Sequence, residues 1–164
     1  MVDAALDPIA LRVLDACRTR SWRIATAESC TGGLVAGALT AVPGASDVLE
    51  AGIVSYANDA KSVLLGVDPF LIDQFGAVSR QVAAAMAEGM LARLSAIQAA
   101  VSTTGIAGPG GGSAEKPVGL VHFAVAVRGR PTLLHHEVFP GTRADIRVAA
   151  VARALLLLLQ ATGT

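Results

Sequence analysis

Residues 24–35 read Ile24-Ala25-Thr26-Ala27-Glu28-Ser29-Cys30-Thr31-Gly32-Gly33-Leu34-Val35. An apolar run closes on a hydroxyl cluster, and a glycine pair then opens a stretch in which Leu34, Val35, Leu39 and Val42 recur at helical spacing. A strand leading straight into a helix is the repeating unit of an α/β sheet. In such sheets ligands collect where strand carboxyl ends meet helix N-termini, because the first N–H groups of the helix lack partners and its dipole favours negative charge. Ser29 falls at that junction. The competing reading of this stretch is that Ser29 or Thr31 does no more than cap the helix.

Working outward, residues 7–17 have helical spacing, with Asp7 as cap and Pro8 in the first turn. The pattern predicts a strand over 22–27, a helix over 31–41 stopped by Pro43-Gly44, and a strand over 48–56 that releases Tyr56. Asn58 or Asp59 then caps a short helix through Leu65, which Gly66 ends. A long amphipathic helix over 79–94, capped by Ser79, precedes a strand over 96–102. That strand delivers residues 103–112, where five glycines make either a loop whose backbone approaches a ligand closely or a flexible surface loop. Two strands, 118–127 and 132–139, form a hairpin around Gly129-Arg130-Pro131, and a helix over 142–161 closes the chain. No repeat or linker interrupts it, so residues 1–164 are read as one domain.

Composition narrows the function classes. A chain that is 53% hydrophobic and 16% charged, with mean hydropathy +0.58, describes a packed core and excludes disorder. Thirteen basic and thirteen acidic residues leave no net charge, so the footprint of a nucleic-acid binder is missing and any anion must be held locally. Cys17 and Cys30 form no CxxC pair and no signal-peptide pattern opens the chain, which predicts a cytoplasmic protein. The Leu-rich tract 154–159 is too short for a bilayer and reads as a buried helix or subunit interface, with no membrane partner.

Familiar site motifs fail. GxSxG would need glycines at Ala27 and Thr31, a P-loop from Gly105 would need a lysine at Gly111, and no window completes GxGxxG. Ser113 to Lys116 spells SxxK but lies in a Gly/Pro-rich loop, and His122, His135 and His136 lack metal-ligand spacing, so neither metal nor cofactor is expected. What remains is a hydroxyl, a phenol and an ammonium on successive elements. Ser29, Tyr56 and Lys61 converge if the strands ending at Ser29 and Tyr56 are neighbours. A serine needs a base, and a lysine can be one when desolvation lowers its pKa. Lys61 and Arg143 both sit in first helical turns, where the dipole disfavours cations.

Four motifs in order carry a resemblance over nearly the whole chain: residues 27–33 (AESCTGG), 52–61 (GIVSYANDAK), 104–111 (TGIAGPGG) and 116–121 (KPVGLV). They resemble the CinA C-terminal domain family, the PncC-type nicotinamide-nucleotide amidohydrolases. The resemblance implies a three-layer α/β/α sandwich with a central mixed sheet. It further implies a homodimer that hydrolyses the carboxamide of nicotinamide mononucleotide, a small-molecule nucleotide, to nicotinate mononucleotide and ammonia in pyridine nucleotide recycling. The pyrophosphatase activity linked with the N-terminal domain of longer CinA proteins is not carried over.

Position by position, the resemblance makes Ser29 the nucleophile, Lys61 its base and Tyr56 an aid to proton transfer. Cys30, Thr31, Gly32 and Gly33 after the nucleophile are expected to bind the substrate together with Thr104 and Gly105, which line the pocket, and with Arg143, placed to hold the phosphate. Ala57 and Asp59 depart from the serine and glutamate of many relatives. In this reading the N–H groups after Ser29 stabilise an oxyanion. Cys30 stands as a rival nucleophile. A non-catalytic nucleotide-binding or interaction module and a metal-dependent phosphohydrolase are the alternatives from other classes.

Overall fold

The strand Ile24–Glu28 (β1) is buried over its whole length, as an interior parallel strand must be when helices cover both of its faces. The computed structural model describes residues 4–163. Around β1 run α1 (Asp7–Thr19), α2 (Leu34–Thr40), β2 (Leu49–Val54), α3 (Asn58–Leu65), α4 (Pro69–Phe75), α5 (Arg80–Arg93), β3 (Ala99–Gly105), β4 (Leu120–Val127), β5 (Leu133–Val138) and α6 (Arg143–Ala161). The sheet order is β2-β1-β3-β4-β5. β1 pairs parallel with β2 and β3, whereas β3–β4 and β4–β5 are antiparallel, so the sheet is mixed.

Alternation along the strands divides the core into two unlike layers. Ile24, Val101, Phe123 and Val125 face α1, α2 and α6, where Leu14, Leu39, Leu155 and Leu158 are buried with them. The Leu-rich end of α6 belongs to this layer; among the described residues no helix is long and apolar enough to cross a membrane. Each fully buried leucine contributes about 1.5–3 kcal/mol. The opposite face is lined by Ala25, Ala27, Ala100, Ala124 and Ala126, against Ala83, Met86, Ala87 and Met90 of α5. Such small side chains bring α5 close to the sheet, and the Ser102 hydroxyl donates to the Ala83 carbonyl at 2.6 Å. At Gly89 a Cβ would fall 1.9 Å from the Leu65 carbonyl oxygen at the end of α3.

Among the departures from the sequence reading, two boundaries and one added helix have plain physical causes. α2 begins at Leu34, because Gly32 and Gly33 take positive φ and turn the chain before the helix opens. β3 runs on to Gly105, since Thr103 and Thr104 stay in register with Phe123 and His122 of β4. The helix α4 was not predicted; Asp68 accepts from the Phe70 N–H at 2.9 Å and Pro69 fills the first position.

Candidate active site

The parallel order β2-β1-β3 delivers three strand ends to one edge of the sheet. The Ser29 N–H donates to the Thr103 carbonyl (2.9 Å) and the Ser55 N–H to the Glu28 carbonyl (2.8 Å), which continues both ladders and fixes Ser29 between its neighbours. From β2 the chain passes directly into α3, whose first turn carries Lys61 back toward Ser29. The Lys61 ammonium donates to Ser29 Oγ at 3.1 Å, to the Ser55 carbonyl at 2.8 Å and to the Tyr56 carbonyl at 3.3 Å. The residue is 1% exposed.

That surrounding decides the chemistry of the pair. Burial holds Lys61 below the ordinary lysine value of 10.5, with a smaller opposing effect from Cys30. None of the ion pairs of the described residues includes Lys61. A neutral amine has two N–H groups and one lone pair. Were the amine neutral, the two carbonyls would match its two N–H groups and leave the lone pair for the Ser29 hydroxyl. The first turn of α3 is an unfavourable place for a cation, so the helix dipole acts on Lys61 in the same direction as burial.

The N-terminus of α2 is not free to hold a ligand anion, contrary to the sequence reading. Glu28, 1% exposed, fills it. One carboxylate oxygen accepts from the Thr26 hydroxyl (3.2 Å) and the Ala36 N–H (2.9 Å); the other accepts from the Thr31 hydroxyl (2.7 Å), Gly33 N–H (3.0 Å) and Val35 N–H (3.1 Å). Neither Ser29 nor Thr31 caps the helix. Thr31 is fully buried between Glu28 and the Thr103 hydroxyl (2.7 Å). It does not line the cleft, and neither do Gly32 and Gly33, whose role is to make the turn.

A cleft of about 290 Å³ opens above Ser29 and Lys61, near the lower end of ligand-site volumes. Cys30, Asn58, Val78, Thr104, Gly105 and the Gly-rich loop through Gly111 also line it, and among the described residues no carboxylate does. Thr104 donates to the Ala77 carbonyl at 2.8 Å, and Gly105 is obligatory, because a Cβ there would lie 2.7 Å from the Leu120 carbonyl oxygen. Arg143 spans the rim: it donates to the Gly108 carbonyl at 2.8 Å and to the Tyr56 hydroxyl at 2.9 Å. The phenol therefore contacts Arg143, and among the described residues no hydrogen bond joins it to Ser29 or Lys61. Tyr56 serves Lys61 through its backbone carbonyl instead.

Cys30 is 5% exposed, and burial raises its thiol to about 11 against weaker lowering by the N–H groups of Cys30 and Thr31. It is a neutral thiol at physiological pH, unlike the low-pKa cysteines that act as nucleophiles. The SxxK string is structural: Lys116 N–H donates to the Ser113 hydroxyl at 3.0 Å and its ammonium to the Phe75 carbonyl at 2.6 Å. Three contributors escaped the sequence reading, namely Glu28 as helix cap, Asn58 on the cleft wall, and Arg147, which donates to the Cys30 and Thr31 carbonyls at 3.1 and 2.9 Å. Only Glu28 had a local signal, a carboxylate just ahead of a helix opening.

The chain as a whole is also similar to known proteins. The family model described as CinA C-terminal domain matches residues 6–162. A CinA-like protein of Mycobacterium marinum is 53% identical over 139 residues, which cover 85% of this chain and 32% of that protein, and one of Akkermansia muciniphila is 51% identical over 139 residues, 85% of this chain and 33% of its own. The chain thus spans about a third of the length of these curated relatives. Among solved structures, the competence/damage inducible protein CihA of Agrobacterium tumefaciens superposes with TM-score 0.94 at 46% identity, covering 100% of this chain and 99% of that one. A competence-damaged protein (CinA) superfamily protein of Escherichia coli gives 0.91 at 32% identity, with 98% and 93% covered.

Proposed function

The chain belongs to the CinA C-terminal domain family, and on that premise we propose that it is an amidohydrolase that converts nicotinamide mononucleotide to nicotinate mononucleotide and ammonia. The observation that carries the reading is the buried Lys61 amine 3.1 Å from Ser29 Oγ, with its remaining N–H groups on two carbonyls. Neutral Lys61 takes the Ser29 proton as Oγ attacks the carboxamide carbon. The oxyanion is met by N–H groups of the turn after Ser29. Lys61 then returns the proton to the departing nitrogen, and ammonia leaves an acyl-Ser29 ester. Water attacks the ester, again losing its proton to Lys61, which passes it back to Ser29 as the acid departs.

Arg143, at the rim and without a carboxylate partner among the described residues, suits the phosphate of the nucleotide, while Val78, Ile106 and Ala107 offer apolar surface to a flat ring. The same reading carries a homodimer, for which exposed Val63 and Phe70 on α3 and α4 supply apolar surface. The test is release of ammonia and nicotinate mononucleotide by purified protein in the presence of EDTA, with Ser29→Ala and Lys61→Ala alongside. Metal-independent turnover lost in both variants supports the reading. A folded wild type that binds the nucleotide without turnover would replace it with the binding-module alternative.

A further inference from the structure

Residues 29–32 form a turn closed by the Gly32 N–H on the Ser29 carbonyl at 3.0 Å. Arg147 of α6 grips this turn from behind. Its Nε donates to the Cys30 carbonyl at 3.1 Å and its Nη2 to the Thr31 carbonyl at 2.9 Å. The contact is close enough that a Cβ at Gly32 would lie 3.1 Å from Nη2. Among the described residues Arg147 has no ion pair, and it does not line the cleft. Its charge therefore serves neither a carboxylate nor the ligand directly.

A trans peptide is planar, so fixing its carbonyl fixes the opposite direction of its N–H. Holding the Thr31 carbonyl aims the Gly32 N–H at the Ser29 carbonyl. Holding the Ser29 carbonyl in turn aims the Cys30 N–H, which shares that peptide plane. The middle peptide is pinned through the Cys30 carbonyl. Among the described residues the Cys30 N–H meets no oxygen acceptor; its neighbour is the Cys30 thiol, a weak acceptor that an oxyanion displaces readily. Meanwhile Glu28 and Thr103 anchor the turn from the other side through Thr31 and Gly33.

We propose that Arg147 is a positioning residue for acyl transfer at Ser29: its two hydrogen bonds lock residues 29–32 in the turn that presents the Cys30 N–H to the oxyanion. The inference rests on the amidohydrolase reading. Because Glu28 and Thr103 keep the backbone course, loss of Arg147 loosens the donor without unfolding the site. The cost falls on the chemical step and spares ground-state binding.

The experiment compares wild type, Arg147→Met, Arg147→Gln and Ser29→Ala in two assays: deamidation of nicotinamide mononucleotide, and labelling of Ser29 by an alkyl fluorophosphonate. In the second, a Ser29 O–P bond forms, fluoride leaves and Lys61 takes the proton, so it reports the turn whatever the natural amide is. Arg147→Met is expected to lower both kcat and the labelling rate by roughly 10²-fold, the low end for loss of an oxyanion donor. KM and the pH at which activity rises stay unchanged, since those belong to the ligand contacts and Lys61. Arg147→Gln, which retains a donor for one carbonyl, recovers part of the rate and carries the comparison if the Met variant fails to fold. Folded variants with unchanged kcat and labelling, or with the loss confined to KM, overturn the proposal. If the wild type is labelled at Ser29 but releases no ammonia, the substrate reading fails and the labelling rates alone decide for or against Arg147. A wild type that is neither labelled nor active removes acyl transfer at Ser29 and this inference with it.

Discussion

Glu28→Gln tests how the nucleophile turn is held. The substitution preserves shape and removes one acceptor oxygen from a carboxylate whose five partners all donate, at 2.7–3.2 Å. The better amide orientation leaves oxygen facing Thr31, Gly33 and Val35 and turns the NH2 toward Thr26 and Ala36. The Thr26 hydroxyl can rotate to accept, but the Ala36 N–H cannot. A buried N–H left unpaired costs about 1–3 kcal/mol, and the lost charge at the α2 N-terminus costs about 1 kcal/mol more. Relief from burying a charge offsets little, because five donors already replace its water. The net loss of ~3 kcal/mol corresponds to a fall in Tm of about 6–12 °C for a chain of this size. Thermal unfolding followed by circular dichroism reads the shift, and amide hydrogen exchange should show the Ala36 N–H losing protection first. A Tm within about 2 °C of wild type with unchanged Ala36 exchange would refute the account of this cap.

The remaining predictions concern the pair above it and the layer beneath. Activity should rise with pH as Lys61 loses its proton, with a midpoint below 10.5. Between that midpoint and 10.5 the unfolded chain holds the extra proton, so stability also rises with pH there, and Lys61→Met should abolish both trends in rate and urea-unfolding profiles. Cys30→Ala should keep turnover within about tenfold of wild type while Ser29→Ala loses it, since a thiol at about 11 is not the nucleophile. Gly89→Ala should destabilise by about 3 kcal/mol, the upper part of the range for overpacking, because the clash is with backbone; a melting curve matching wild type would show that α5 can shift freely.

The strand-to-helix reading of residues 24–35 located the sheet edge because apolar runs and glycine pairs are local signals. Ser79 and Thr142 behave as such signals too: Ser79 accepts from the Val82 N–H, and Thr142 forms a reciprocal capping box with Asp145. The approach of Lys61 to Ser29 was legible only as a condition on strand order, which no local pattern specifies. The cap by Glu28 was hidden because serine and threonine beside it compete for the same role in sequence, and burial decides between them. Arg147 was invisible, since its bonds join residues more than a hundred positions apart to backbone carbonyls that carry no sequence identity. The placement of the Tyr56 phenol on Arg143 was equally a matter of distant elements meeting.

The alanine-lined interval between α5 and the sheet works as a shim. Where Ala83 and Ala87 meet Ala124 and Ala126 its thickness is set by Cβ atoms and backbone, whereas Met86 and Met90 fill the part beside it. The N-terminal end of α5 follows directly on Ala77 and Val78, which form part of the cleft wall, so a change in that gap is passed toward the cleft. Enlarging Ala83 or Ala124, both fully buried and remote from Ser29 in sequence, would therefore reshape the opening that receives the ligand. Bulk in this seam is a dial for what the cleft admits.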